Sequence, residues 1–288
     1  MSEPERDPPT AAPDEAGSGA DAAVAPYDPG TFWEGRLRGH FDLTGAGFRG
    51  IGKPFNQALY RQREIVLERV LKRAHIEASG AQVVELGPGT GFYVDLWRRW
   101  GAAGLIGLDI TEVATERLAA AYPEFRFEVA DVTERWPTPD ASADVVTAFD
   151  VLFHIVDDDR FAAAIGEAGR VVRPGGHLLI SDFFPHRADF RSYHQVSRTL
   201  ASVASLLDRS GFDVVLRAPV FVTMHPAVDV PSVLAGPARR WWAWLEAALI
   251  ANPKRGWRLG RVLGAVDRIA TRVLPGGPSV EILVARRR

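Results

Sequence analysis

One stretch of nine residues constrains the chain more than any other: Val83-Val84-Glu85-Leu86-Gly87-Pro88-Gly89-Thr90-Gly91. A short apolar run ends in an acid and is followed at once by glycines on alternate positions. The run predicts a buried strand, and the glycines predict a tight turn into a helix over residues 92–100. Such a turn needs positive φ and leaves backbone free for a ligand to approach, both of which glycine permits. The helix start then offers unpaired N–H groups to that ligand. This is the architecture of a nucleotide-type pocket at the carboxyl end of a first strand in an α/β sheet.

The next acids keep the same register. Residues 104–110 form a second apolar run ending at Asp109-Ile110, 24 residues after Glu85. That is close to the interval of roughly 20 residues at which a carboxylate on a second strand meets a ribose diol. Asp109 also suits a cap for the helix that follows. Ile110 is placed to lie flat against an adenine. A third strand, residues 125–132, delivers Asp131 and Val132, and a fourth, 144–149, ends at Phe149. In a dinucleotide fingerprint the third glycine would stand at position 92, where this chain has Phe92, which argues against a nicotinamide oxidoreductase.

The pattern E-x-G-x-G-x-G with these spaced acids resembles class I S-adenosylmethionine-dependent methyltransferases. Arg170-Val171-Val172-Arg173-Pro174-Gly175-Gly176 resembles the turn before their fifth strand, with Val172 where leucine is usual. The likeness covers residues 80–185. It implies a Rossmann-like α/β sheet of seven strands in the order 3-2-1-4-5-7-6, the last antiparallel. It also implies S-adenosyl-L-methionine as cofactor, with contacts from Glu85, Gly87, Gly89, Gly91, Tyr93, Asp109, Ile110, Asp131, Val132 and Phe149. Glu85 is expected beside an amino group. The stretch from Trp33 to Arg61 resembles an N-terminal arm that closes over cofactor and acceptor in some bacterial small-molecule methyltransferases.

A sulfonium methyl is a strong electrophile, so its transfer needs alignment, exclusion of water and, for a hydroxyl acceptor, a base. His154, His186 and His225 follow strands four, five and six on the catalytic edge. The run Asp150-Val151-Leu152-Phe153-His154-Ile155-Val156-Asp157 resembles the L-H-H-x-x-D segment of sugar and natural-product O-methyltransferases, with Phe153 in place of the first histidine. The resemblance makes His154 the candidate base and Asp182 its orienting acid, with His186 as a further candidate. His154 also fits a purely structural role at a helix start. Asp157-Asp158-Asp159 is expected to cap a helix rather than bind a metal, because consecutive residues there point in different directions.

The remaining expectations concern organisation and partners. Residues 1–29 hold six prolines and seven acids against Arg6 alone, and are expected to be a disordered tail. An N-terminal helical arm is expected over 30–78, with a glycine-rich mobile loop at 43–52. The methyltransferase core is expected over 79–230 and 278–288, including a helix from Asp189 to Arg209. A helical cap over 231–277, rich in tryptophan, is expected to roof the carboxyl edge, with packing on the outside of the domain or contact with a membrane surface as the alternatives. With no cysteine there is no disulfide, thiolate metal site or thiol nucleophile. Lacking a basic apolar leader, the chain is expected to be cytoplasmic, with no stable membrane insertion. The arginines of the last 38 residues are expected on solvated helix faces, and no nucleic-acid motif accompanies them. The expected partner is a small acceptor carrying a hydroxyl, a sugar or a secondary metabolite. Transfer to nitrogen or carbon, and a natural-product enzyme that binds the cofactor without methylating, remain open alternatives.

Overall fold

The structure, a computed structural model, describes residues 27–288. The acidic tail therefore lies outside the described residues except for its last three. Asp28 caps α1 (Pro29–Gly39), accepting from the Thr31 N–H at 2.7 Å, and Pro29 supplies the preset φ of a first helical residue. A single turn, α2 (Leu43–Ala46), and the long α3 (Lys53–Arg73) complete the arm. The expected mobile loop at 43–52 is instead tied down. Arg36 donates to the carbonyls of Gly45 (2.6 Å) and Gly47 (2.7 Å), and Asn56 exchanges hydrogen bonds with the Phe48 backbone.

The sheet begins with β1 (Gln82–Leu86), α4 (Phe92–Arg99), β2 (Gly104–Asp109), α5 (Glu112–Ala121) and β3 (Arg126–Val129). It continues through β4 (Ala143–Phe149), α6 (Asp158–Val171) and β5 (Val172–Asp182), a strand that includes the Pro174-Gly175-Gly176 irregularity. Then come β6 (Phe190–Arg191), β7 (Val196–Ser197), α7 (Leu200–Arg209), β8 (Phe212–Pro219), α8 (Ser232–Ala251), α9 (Arg255–Val273) and β9 (Glu281–Arg287). The seven-stranded sheet runs β3-β2-β1-β4-β5-β9-β8, with β9 antiparallel to both neighbours. Counted along the sheet, this is the order read from the sequence.

Period-two patterning explains why the sheet is covered on both faces. Val83, Val145, Leu179, Ile282 and Val284 face a core made with α3, α4 and the α8–α9 pair. Val84, Val146, Leu178, Ile180 and Leu283 face the other core, made with α6 and α7. Trp97 on α4 is fully buried in the first layer.

Two expectations fail here. Residues 189–199 are not helical: β6 and β7 form a small hairpin, and the helix starts only after Thr199, whose hydroxyl accepts from the Ser202 N–H. Asp189 accepts from the Thr199 N–H at 2.9 Å, closing the loop before the helix can extend backwards. The tryptophan-rich pair also does not roof the carboxyl edge. α9 lies along α3, with Gly256 against Phe55 and Gly260 against Ala58. Neither α8 nor α9 lines either of the two adjoining cavities at that edge.

Candidate active site

At the switch point between β1 and β4 the carboxyl edge opens into a cavity of about 210 Å³. Its floor is the glycine turn. Gly89 takes φ +53°, and a Cβ there would meet only Ala46 and the Gly87 carbonyl, at 3.9 Å or more, so the backbone is bare towards the cavity. The Gly89 N–H donates to Asp109 Oδ2 at 3.0 Å, and Asp109 Oδ1 accepts from the Thr111 N–H and hydroxyl. Burial raises the Asp109 carboxyl above its usual range, against the opposing pull of those donors. Ile110 and Val132 supply apolar walls, and Asp131 pairs with Arg160 while capping Thr133. Tyr93 and Phe149 stack at 4.2 Å between centroids on the inner side. Tyr27, Trp33 and Leu37 close the cavity from the arm.

A second cavity, of about 150 Å³, adjoins it. Phe32, Phe48, Phe153, Phe183, Phe190, His194 and His225 make its wall largely aromatic. The two share Trp33, Ala46, Tyr60, Asp150 and His154. Asp150 sits there in a left-handed conformation (φ +58°) that a non-glycine residue adopts only when its surroundings hold it. Its N–H and Oδ1 both bond Ser181 Oγ (2.8 and 2.7 Å), and its Oδ2 pairs with Arg63 at 2.6 Å.

His154 belongs to a single turn of 3₁₀ helix after β4 (Leu152–His154). Its ring lies against Trp33 (4.9 Å), Phe153 (4.5 Å) and His194 (5.9 Å). This desolvation lowers its pKa to about 3, so the imidazole is neutral at pH 7. Nδ1 lies 3.0 Å from the His194 carbonyl. A carbonyl only accepts, so the proton is assigned to Nδ1 and the lone pair to Nε2.

Of the residues expected at the site, Gly87, Gly89, Tyr93, Asp109, Ile110, Asp131, Val132, Phe149 and His154 are brought together around the first cavity. Four lie elsewhere. Glu85 points into the core beneath the turn, where the Thr147 hydroxyl donates to it and burial raises its pKa to about 8. Gly91, in left-handed conformation (φ +86°) at the start of α4, faces Leu118 and Tyr122 rather than the cavity. Asp182 is buried against Ser197 Oγ (2.6 Å) and the Phe183 N–H; it holds the β6–β7 hairpin to the end of β5 and does not orient His154. His186 sits half-exposed in a network with Asp229, Arg217 and Glu281, because the loop after β5 passes over towards β8 and β9. Asp157 caps α6 and Asp158 pairs with Arg191 and Arg198.

Residues 84–180 match the family model described as a methyltransferase domain. The match spans the glycine turn, the acid of β2 and the whole of the His154 segment, Asp150 to Asp157. These residues form a methyltransferase domain. Among curated relatives, a probable S-adenosylmethionine-dependent methyltransferase of Mycolicibacterium smegmatis is 34% identical over 54% of this chain and 59% of its own length. The 27-O-demethylrifamycin SV methyltransferase of Amycolatopsis mediterranei is 33% identical over 44% of this chain and 50% of its own. The chain thus spans little more than half the length of the curated relatives it matches. Two solved structures share the fold at low identity. Magnesium protoporphyrin IX methyltransferase of Synechocystis PCC 6803, with bound cofactor, has a TM-score of 0.55 at 16% identity, covering 92% of this chain and 100% of that one. The [4+2]-cyclase SpnF has 0.52 at 18%, covering 78% and 80%.

Sequence reasoning missed Arg63, Asp150 and His194. Tyr60 and Arg63, three apart on α3, carried a faint signal, since that spacing puts both on one helix face. His194 carried none, because its carbonyl meets His154 across 40 residues of chain.

Proposed function

We propose that the methyltransferase domain transfers the methyl group of S-adenosylmethionine to a hydroxyl of a small sugar or secondary metabolite, with His154 as general base. One observation carries the reading: His154 stands where the two cavities meet, with Nδ1 occupied by the His194 carbonyl and Nε2 left with its lone pair. The first cavity fits the cofactor, since Gly89 leaves room for backbone approach and Asp109 is set to meet a ribose diol. Ile110 and Val132 flank a slot for the adenine, and Asp131 lies at its rim. When bound, the cofactor supplies an electrophilic methyl group. The aromatic wall of the second cavity takes the acceptor ring and excludes water. Nε2 of His154 receives the hydroxyl proton as the acceptor oxygen attacks. The relative named for 27-O-demethylrifamycin SV supports a natural-product hydroxyl.

The test is incubation with methyl-labelled S-adenosylmethionine and a panel of ring-bearing alcohols and phenols, with products located by mass spectrometry. An O-methyl product is expected. Label on nitrogen or carbon would assign one of the other acceptors, and cofactor binding without any transfer would assign a non-methylating role.

A further inference from the structure

The α8–α9 pair carries an outer surface that methyl transfer does not use. Fifteen large apolar side chains are exposed among the described residues, and eleven of them lie between Val233 and Leu274. On α9 the spacing is helical: Val262, Val266, Ile269 and Val273 form one stripe, exposed by 62, 45, 67 and 74%. At 100° per residue, Arg258, Arg261, Arg268 and Arg272 run beside that stripe, while Gly260, Leu263, Asp267 and Thr271 turn inwards. On α8, Trp242, Leu245 and Leu249 are buried, and Trp244, 55% exposed, faces out.

Charge identifies the occupant. Residues 232–274 carry Arg239, Arg240, Lys254, Arg255, Arg258, Arg261, Arg268 and Arg272 against Glu246 and Asp267. Asp267 is fully buried and spent on the N–H groups of Val222, Thr223 and Met224, so it offsets nothing outside. A second copy of this chain would bring two such cationic faces together. A neutral apolar partner would leave the arginines beside the stripe unmatched. An anionic bilayer satisfies both features: apolar side chains enter the headgroup boundary, and arginines reach the phosphates. We propose that the α8–α9 pair docks peripherally on an anionic phospholipid surface. None of the described helices is long and apolar enough to cross a membrane, so the pair lies on the surface and does not span it.

The position gives docking a use. Trp242 lies behind the face, with its ring against Phe48 (5.5 Å) and His225 (6.2 Å), two residues of the second cavity's wall. The docking surface is thus one side-chain layer from the cavity that, on the proposed function, takes the acceptor. Docking itself does not depend on that function, and its test requires no methyl transfer.

The full chain would be floated with vesicles of phosphatidylcholine alone and of phosphatidylcholine mixed with phosphatidylglycerol. It is expected to float with the anionic vesicles only, and less as salt rises. Arg258→Glu with Arg268→Glu should weaken partitioning by at least about thirtyfold. Val262→Ser with Ile269→Ser should weaken it by about tenfold or more. These positions are exposed, so both double variants should keep the wild-type melting transition and S-adenosylmethionine affinity. No flotation, equal flotation with both vesicles, or flotation that survives either double change would overturn the proposal. So would a dimer in solution that Val262→Ser with Ile269→Ser dissolves, which would give the face to a second copy.

Discussion

Replacing His154 by asparagine separates the base from the scaffold. The imidazole makes one polar contact, Nδ1 to the His194 carbonyl at 3.0 Å, worth about 1 kcal/mol net. An asparagine amide also donates, and so retains much of that contact while offering no base. If Nε2 takes the acceptor proton, kcat should fall by about 10²-fold, the low end of general-base effects, because a pKa lowered to about 3 makes the imidazole a weak base. The affinity for S-adenosylmethionine should stay within about threefold, because no cofactor contact is assigned to the ring. The pH profile adds a sharper test. With its pKa lowered to about 3, His154 is already neutral at pH 5, so kcat should show no acid limb near the ordinary histidine value of 6.5. Stability carries the same sign. The unfolded histidine binds its proton below 6.5 and the folded one only near 3, so stability is lost as pH falls through that window. The slope from this residue is at most about 1.4 kcal/mol per pH unit. It should vanish from the difference between wild type and His154→Asn. A variant retaining more than a tenth of wild-type kcat, or a wild-type acid limb near 6.5 that the variant loses, would refute the reasoning.

Three further outcomes follow from the cofactor edge and the core beneath it. Gly91→Ala combines a left-handed φ with a Cβ 2.6 Å from Leu118 Cδ2, and should cost about 2–5 kcal/mol in urea denaturation; a loss under about 1 kcal/mol would show the turn to be plastic. Asp109→Ala should weaken S-adenosylmethionine binding by about 10–100-fold in calorimetry, and unchanged affinity would remove the ribose from this position. Glu85 has its folded pKa raised to about 8 from 4.5, so its contribution is fully present below 4.5 and is lost as pH rises to about 8. Relative to wild type, Glu85→Gln should therefore gain stability across that window, by up to about 5 kcal/mol above pH 8. Parallel pH–stability curves would show that Glu85 is not protonated in the fold.

The residues that were misplaced show how far local reasoning reaches. Glu85 lies within the most informative stretch of the chain, yet the strand's alternation turns its side chain to Thr147 and the core. Asp182 and His186 follow the correct strand, but Ser197 and Asp229, 15 and 43 residues further on, draw them away from the cavities. The helix expected from Asp189 stops at Thr199 because Asp189 itself folds back to that residue's N–H, a contact no periodicity reveals.

By itself the sequence determined the α/β sheet, its strand order and the cofactor turn. Each is written in short-range chemistry: apolar alternation, glycines at positive φ, and acids at strand ends. The resemblance had already singled out His154; only the tertiary structure decided its tautomer and the ion pair it stands beside. Those choices rest on His194, Arg63 and Asp150 converging from separate elements, and side chains brought together by packing leave no spacing to read along the chain. The arginine and valine stripes of α9 are a different case, since they lie on one helix. Their spacing was visible in the sequence, but burial of the opposite face against α3 decided which of them face outwards.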